Sequence, residues 1–317
     1  MQYRRLGNSG LKVSEIALGS WLTYGGSVEA ASAEAVIHKA YELGINYFDT
    51  ANMYARGEAE RIVGRALASY DRDSYVLGTK VYFDMGDGPN DRGLSRKHII
   101  EQCNASLKRL GVDYIDLYYC HRYDDNTPLE ETLRAMDDLI TQGKVLYTGI
   151  SEWNAGQIAD ACGLAKQLHF DPIVVNQPEY NMFTRSIEKE VVPMCEDKGI
   201  GQVVFSPLAH GVLTGKYRKG ETPPAGTRAA NPEHNHWIKS QGLLSEHRLD
   251  QIEQLQGIAN RNGISMPQLA LAWNLRLPNV ASCIIGATRP EQVEQNASAA
   301  GVRLSAEDLA EIECILA

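Results

Sequence analysis

Four polar residues follow or end short apolar runs of the chain, and together their side chains could move a proton. They are Asp49, Tyr54, Lys80 and His121. A tyrosine alone is a poor acid near neutral pH, because its usual pKa is about 10. A neighbouring ammonium group favours the phenolate, so Lys80 is expected to lower the pKa of Tyr54 while Asp49 holds the ammonium in an ion pair. His121 could orient a substrate oxygen or relay a proton.

Each of these residues, taken singly, also has a purely structural interpretation. An aspartate at a strand end often caps the next helix. A lysine is usually a solvated surface charge, and a single histidine is more often a hydrogen-bonded structural residue than a catalyst. The four side chains act together only if the fold brings them to one edge.

Short apolar strands alternate with amphipathic helices along the chain, after a predicted N-terminal hairpin over residues 3–16 with a turn at residues 7–10. The predicted strands cover residues 16–19, 47–49, 75–78, 115–119, 145–150, 173–176, 202–205 and 282–286. The predicted helices cover residues 33–43, 58–69, 95–110, 129–142, 155–167, 187–198, 245–262 and 290–300.

Eight strand–helix units predict an α/β fold, a (β/α)8 TIM barrel with an N-terminal β-hairpin and long loops at its C-terminal mouth. An open, doubly wound parallel sheet is the alternative. No linker rich in proline, glycine or serine divides the chain, so we expect one domain over residues 1–317. In a barrel the carboxyl ends of all strands form one rim, which would bring the four polar residues together.

The composition argues against a nucleic-acid partner and against a membrane protein. The 317 residues carry a formal net charge of -9, whereas a phosphate backbone requires a clustered basic surface. No apolar run approaches the length of a transmembrane helix, and the N-terminus has no signal-peptide pattern. The six cysteines are scattered, as expected for free thiols in a reducing compartment. We therefore expect a soluble, cytoplasmic protein.

A long irregular segment, residues 209–236, follows the predicted seventh strand and contains three histidines. His210, His234 and His236 could suggest a metal site, but no cysteine, aspartate or glutamate completes it at ligand spacing. We therefore expect no metal and interpret the segment as a polar loop over the mouth of the barrel.

Residues 48–54 and 121–132 resemble the aldo-keto reductases, and the resemblance extends from the hairpin to Asn296. Within that family the chain is most similar to the branch of potassium-channel beta subunits and related bacterial reductases. The resemblance implies that Tyr54 is the general acid, that Lys80 and Asp49 tune it, and that His121 completes the catalytic tetrad.

The same resemblance implies NADPH as cofactor. No G-x-G-x-x-G follows a strand, so the dinucleotide is not held as in a Rossmann fold. Ser151 and Gln177 are expected to hold the nicotinamide carboxamide, and Phe205 to stack beneath the nicotinamide ring. Ser206 and Leu208 are expected near the pyrophosphate.

The adenosine end is expected at the junction between the last strand and the following helix. The residues expected there are Gly286, Thr288, Arg289, Gln292 and Asn296, with Lys216 reaching in from the long segment. A helix N-terminus suits an anion, and an arginine there favours NADPH over NADH. The alternative is that Arg289 merely lies at a helix start. The family commonly has asparagine or arginine after the serine, and Glu152 departs from that pattern.

We therefore expect NADPH-dependent reduction of an aldehyde or ketone to an alcohol, with a small carbonyl compound as the substrate. The loops at residues 21–26, 82–92 and 209–237 are expected to select it. Four aromatic residues near the mouth either form walls for an apolar or aryl aldehyde or simply pack the rim: Trp21, Tyr24, Tyr82 and Trp237.

The alternative function is a cofactor-bound regulatory subunit of a channel or other partner, with little turnover. An intact tetrad favours catalysis over a third option, an inactive scaffold. The resemblance leaves the oligomeric state open between two alternatives. Channel-like relatives form rings, which would make this chain a homo-oligomer, whereas many other members of the family are monomers.

Overall fold

A computed structural model describes residues 1–22, 24–25 and 29–317 of the chain. Thr23 and Gly26, which belong to the predicted substrate loop over residues 21–26, lie outside the described residues.

Eight parallel strands close into a barrel in the order β10-β3-β4-β5-β6-β7-β8-β9. The strands are β3 Ile16–Gly19, β4 Tyr47–Asp49, β5 Val76–Val81, β6 Ile115–Cys120, β7 Val145–Ser151, β8 Ile173–Gln177, β9 Gly201–Val204 and β10 Val280–Ile285. The predicted TIM barrel is therefore confirmed, and the open doubly wound sheet is wrong.

Helices surround the barrel and cover the outward faces of its strands. They are α1 Ala30–Glu42, α2 Glu58–Leu67, α3 Arg96–Leu110, α4 Leu129–Thr141, α5 Ala155–Leu168, α6 Val191–Lys198, α7 His236–Ser240, α8 Glu246–Arg261, α9 Met266–Asn274, α10 Pro290–Ala297 and α11 Ala306–Leu316. Most of the buried apolar side chains lie between the strands and these helices. Within the part of the chain that is described, no helix is long and apolar enough to cross a bilayer.

The N-terminal hairpin closes one end of the barrel. It pairs β1 Tyr3–Arg5 with β2 Lys12–Ser14 in antiparallel register. Leu6 and Val13, next to and within these strands, are fully buried in the same cluster as barrel residues such as Leu117 and Val203. The hairpin therefore packs into the barrel interior at this end, and the interior is open at the opposite end.

Helices α7, α9 and α11 were not predicted, and two predicted segments have a different form in the structure. The helix predicted over residues 187–198 is a 3-10 turn, Ser186–Glu188, followed by α6. Pro193 lacks an amide hydrogen and is tolerated in the first turn of a helix, so the helix starts just before it. The segment predicted as irregular, residues 209–236, contains two 3-10 turns, Ala209–Thr214 and Arg228–Ala230.

Candidate active site

The carboxyl ends of β4, β5 and β6 bring the four predicted catalytic residues together. Asp49 is the last residue of β4, Lys80 lies near the end of β5, and His121 directly follows β6. Tyr54 begins a 3-10 turn, Tyr54–Gly57, just beyond β4. Hydrogen-bonded pairing of these neighbouring strands fixes the spacing of the three strand-end residues.

Lys80 and Asp49 form a buried ion pair, and both oxygens of the carboxylate accept hydrogen bonds. Lys80 Nζ lies 2.5 Å from Asp49 Oδ1 and donates a second hydrogen bond to the carbonyl of Thr50 at 2.7 Å. Asp49 Oδ2 accepts from the hydroxyl of Tyr47 at 3.0 Å and from Nε2 of Gln177 at 2.9 Å. Burial opposes the charged form of Lys80, but the Asp49 carboxylate outweighs it and raises the pKa of Lys80.

Small residues make room for this network inside the barrel. The hydroxyl of Tyr47 also lies 2.9 Å from that of Tyr119 on β6. A Cβ on Gly149 of β7 would stand 2.4 Å from the Tyr119 ring, so only glycine leaves space for that tyrosine.

Tyr54 is the hydroxyl group nearest to the Lys80 ammonium in the cavity. Lys80 Nζ donates to Tyr54 Oη at 3.5 Å, and the same ammonium lies 5.1 Å from the centre of the Tyr54 ring. Burial raises the pKa of Tyr54, and Lys80 only partly counteracts it, so the net shift is upward. Lys80 does lower the pKa of Tyr54, as predicted, but the larger effect of burial makes the net change a rise.

The backbone after Tyr54 is strained and is fixed by a buried ion pair. Ala55 and Arg56 have left-handed φ values of 47° and 52°, which cost free energy for residues other than glycine. The fully buried Glu60 accepts from Arg109 Nε at 2.5 Å and from the hydroxyl of Thr79 at 2.6 Å. These contacts connect the start of α2 to the residue before Lys80.

His121 lies beside Tyr54 as a neutral imidazole. Its ring makes edge-to-face contacts with Tyr54, at 5.8 Å between centroids, and with Phe83, at 4.9 Å. Burial, reinforced by the charges of Lys80 and Arg122, holds the pKa of His121 well below its usual range. Its Nδ1 atom is buried without a hydrogen-bond partner among the described residues. A neutral imidazole can still donate one hydrogen bond to a substrate oxygen.

A cavity of about 740 Å³ opens above these residues at the carboxyl ends of the strands. Asp49, Tyr54 and His121 line it, while Lys80 lies fully buried behind Tyr54. All the residues that the sequence assigns to the cofactor also line this cavity: Ser151, Gln177, Phe205, Ser206, Leu208, Lys216, Gly286, Thr288, Arg289, Gln292 and Asn296.

Polar groups at the ends of β7 and β8 lie next to the predicted catalytic residues. The hydroxyl of Ser151 donates to the carbonyl of Gln177 at 2.7 Å, and the Gln177 amide in turn binds Asp49. After β9 the chain bends sharply, because Ser206, Ala209 and His210 have φ values of 51°, 46° and 56°. These turns carry the long segment over the cavity.

One part of the cavity wall carries positive charge that the protein leaves unbalanced. Lys216, Arg228 and Arg289 line the cavity, and none of them forms an ion pair among the described residues. Burial together with the charges of Arg228 and Arg289 lowers the pKa of Lys216, and burial lowers that of Arg228. Arg289 is also the N-cap residue of α10, where free amide groups favour an anion. This wall fits a ligand with several negative charges.

His210 holds the long segment in place. Its Nε2 lies 3.1 Å from Glu179 Oε1, and its Nδ1 lies 3.0 Å from Nη1 of Arg228. Because a guanidinium can only donate, Nδ1 must accept, and the ring proton is on Nε2. Across the ranges that the structure covers, no three His, Cys, Asp or Glu residues are grouped so that they could hold a metal ion.

Two of the four predicted mouth aromatics line the cavity. Trp21 and Trp237 do so, and Trp237 is 39% exposed. Tyr24 is buried, and neither Tyr24 nor Tyr82 lines the cavity, so both belong to the packing of the rim.

Several charged residues of the cavity wall were not predicted from the sequence. They are Arg122, Glu152, Glu179 and Arg228. Arg122 and Glu152 directly follow His121 and Ser151, and Glu152 was noted from the sequence without a role. Glu179 and Arg228 lie in connecting segments, where no residue spacing marks them.

Comparisons with known proteins agree with this fold and site. Residues 15–317 match the model of the aldo/keto reductase family, whose members are oxidoreductases that act on small carbonyl compounds and generally use NAD(P)H. A protein of Arabidopsis thaliana named "Probable voltage-gated potassium channel subunit beta" is 45% identical over 305 residues, 95% of this chain and 92% of that protein. A protein of the same name from Oryza sativa subsp. japonica is 44% identical over 95% of this chain and 92% of its own. A Schizosaccharomyces pombe relative, whose name also refers to such a subunit, is 43% identical over 99% of this chain and 93% of its own. The chain therefore belongs to the aldo/keto reductase family and is an oxidoreductase by class.

Proposed function

We propose that this protein reduces aldehydes or ketones to alcohols with NADPH, and that Tyr54 delivers the proton. The observation that carries the proposal is the position of the Tyr54 hydroxyl, 3.5 Å from the Lys80 ammonium, in a cavity whose wall also carries Lys216, Arg228 and Arg289, none of them in an ion pair among the described residues.

The residues of the cavity fit a phosphorylated dinucleotide. Ser151, Gln177 and Phe205 would hold its nicotinamide, and Ser206 and Leu208 would lie near the pyrophosphate. The residues that would hold the adenosine end and its 2′-phosphate are Lys216, Gly286, Thr288, Arg289, Gln292 and Asn296. When bound, the reduced nicotinamide supplies the hydride.

The protein itself supplies the proton and the electrostatic environment. Tyr54 is protonated at neutral pH, because burial raises its pKa. As negative charge develops on the substrate oxygen, Tyr54 donates its proton to that oxygen, and Lys80 stabilises the phenolate that remains. Asp49 fixes the position of Lys80, and neutral His121 can donate a hydrogen bond to the same oxygen.

The test is NADPH oxidation, followed by absorbance, with a panel of small aldehydes, NADH as the alternative cofactor, and the Tyr54→Phe variant. We expect turnover that requires NADPH and that falls about 10²–10⁴-fold in Tyr54→Phe, with NADPH binding retained. Tyr147→Phe, a tyrosine of β7 outside the cavity, is the matched control and should leave turnover unchanged. Failure to bind either nucleotide would overturn the proposal.

A second function is favoured by the relatives whose names refer to channel subunits. The chain would then be a cofactor-bound regulatory subunit with little turnover. Tight NADPH binding without turnover of any aldehyde in the panel would favour this function over the reductase.

We also propose that residues 1–317 form one domain in the cytoplasm, as a monomer or a homo-oligomer. All six cysteines are free, which suits a reducing compartment. Burial raises the pKa of the Cys120 thiol, next to His121, to about 12, so it stays protonated and unreactive.

A further inference from the structure

Arg122 places a second positive charge at the catalytic end of the cavity. Its guanidinium lies 5.5 Å from the centre of the Phe83 ring, and Phe83 packs against His121, which packs against Tyr54. Arg122, Phe83, His121 and Tyr54 all line the same cavity. A substrate whose carbonyl oxygen reaches Tyr54 would therefore lie within reach of Arg122.

The charge of Arg122 is not balanced by an ion pair. Lys80 is neutralised by Asp49, whereas Arg122 has no carboxylate within 4 Å among the described residues. Of the five N–H groups of a guanidinium, one forms a hydrogen bond to the described residues, from Nη1 to the carbonyl of His121 at 2.5 Å. The field of Arg122 reaches the reacting groups, since it helps to lower the pKa of His121 and opposes the rise that burial causes in the pKa of Tyr54.

Two carboxylates of the cavity wall could compete with an anionic substrate for Arg122, but both have other partners. Glu152 Oε1 accepts the backbone amide of Glu179 at 2.6 Å. The Glu179 side chain accepts from His210 and, at 3.4 Å, from Gln241. Arg122 is among the groups that act on the pKa values of Tyr54 and His121, whereas Glu152 is not. Burial raises the pKa of the Glu152 carboxyl and Arg122 partly offsets that rise, so Glu152 is the opposing charge nearest in effect to Arg122.

We propose that Arg122 binds a carboxylate of the substrate, so that the preferred substrates are short aldehydes or ketones that carry a carboxylate beyond the reacting carbonyl. This inference rests on the proposed reductase function and narrows its substrate class. The planar guanidinium suits a carboxylate, with which it forms two parallel hydrogen bonds. Phe83, which contacts both Arg122 and His121, supplies apolar surface for the carbon atoms between the two groups.

The experiment compares kcat/KM for matched pairs of substrates with and without the negative charge. The pairs are 4-carboxybenzaldehyde and its methyl ester, and 4-oxobutanoate and its methyl ester. In the unmodified protein the carboxylates should be preferred by about ten-fold or more, the range of a charged hydrogen bond. In Arg122→Gln this preference should fall to about one, and Arg122→Lys should lie between. Because each preference is a ratio within one variant, a general effect on folding or on proton transfer cancels.

Two further variants sharpen the test. Glu152→Gln removes an opposing charge and should increase the preference for carboxylates. Arg134→Gln, on α4 against Phe170 and outside the cavity, should leave it unchanged. Turnover with no preference in the unmodified protein, or a preference that survives in Arg122→Gln, would overturn the assignment of Arg122 alone. The absence of turnover with all four substrates would overturn the reductase function as well.

Discussion

The Lys80 ammonium and the Asp49 carboxylate are 2.5 Å apart, and at most 4% of either side chain is exposed. Removal of one member of such a pair leaves an uncompensated buried charge. We expect Asp49→Asn to lower the free energy of unfolding by about 3–5 kcal/mol, measured by urea denaturation. The double variant Asp49→Asn with Lys80→Met should recover part of that loss, because no buried charge remains. A loss below about 1 kcal/mol in the single variant would contradict the pair's predicted contribution.

The raised pKa of Tyr54 predicts the pH dependence of catalysis. Because burial keeps the phenol protonated beyond its usual pKa of about 10, Tyr54 ionisation should not limit reduction between about pH 6 and pH 9. We expect kcat for a neutral aldehyde to change less than about three-fold over this range. A steep fall in kcat with an apparent pKa near 8 would show that Lys80 outweighs burial.

His121 should make the protein less stable in acid. Its pKa is depressed in the folded state, so the unfolded chain binds the proton more readily, and the free energy of unfolding falls as the pH drops below the unfolded pKa of about 6.5. Denaturation of the unmodified protein and of His121→Asn between about pH 7 and pH 5 measures this term. The variant should lose less stability over that interval. His98, whose pKa burial also lowers, is present in both proteins and cancels in the comparison.

The unpaired cations should determine the choice between the two nucleotides. Arg289→Gln removes a charge at the start of α10 and should weaken NADPH binding by about 10–100-fold, while NADH binding changes little. Titration of each nucleotide by fluorescence measures both affinities. Equal losses for NADPH and NADH would indicate that Arg289 does not contact the 2′-phosphate.

Gly57 tests whether the turn after Tyr54 positions its hydroxyl. At φ +90° a Cβ would stand 2.6 Å from Arg109 Cδ, so Gly57→Ala should displace the Arg109–Glu60 pair and lower kcat by about ten-fold. Gly143→Ala is the matched control, because Gly143 has φ +70° but open space around it. It should cost about 1 kcal/mol of stability with kcat unchanged. Equal kcat in both variants would remove any positioning role from this turn.

The barrel strands could be predicted closely because their apolar runs end sharply. The bounds of β3 and β4 are the predicted residues 16–19 and 47–49. Helix α9 was missed because almost all of its residues are buried, so it has no polar face and no amphipathic period. Helix α11 was missed because it lies beyond the eighth strand–helix unit; it packs against α8, where Asp308 binds Arg261 at 2.7 Å.

From the residue pattern alone the candidate site could be predicted where residues end strands, whereas the other site residues were assigned through the family resemblance. Asp49, Lys80 and His121 occupy such positions, and the barrel rule brings them to one rim. Arg122 and Arg228 carry no such signal, because a single arginine in a loop acquires its role from neighbours that are distant in sequence. The net pKa of Tyr54 likewise depends on burial, which the sequence pattern does not quantify.

The N-terminal hairpin fills one end of the barrel and leaves the opposite end as the open one. Leu6 and Val13 occupy the end opposite Tyr54, so a nucleotide and a carbonyl compound would share the same entrance. Two molecules that share one entrance pass through it in turn, and the one that lies deeper arrives first and departs last. The order in which the two molecules bind and leave would then depend on Leu6 and Val13, although these side chains lie at the end of the barrel remote from the reaction.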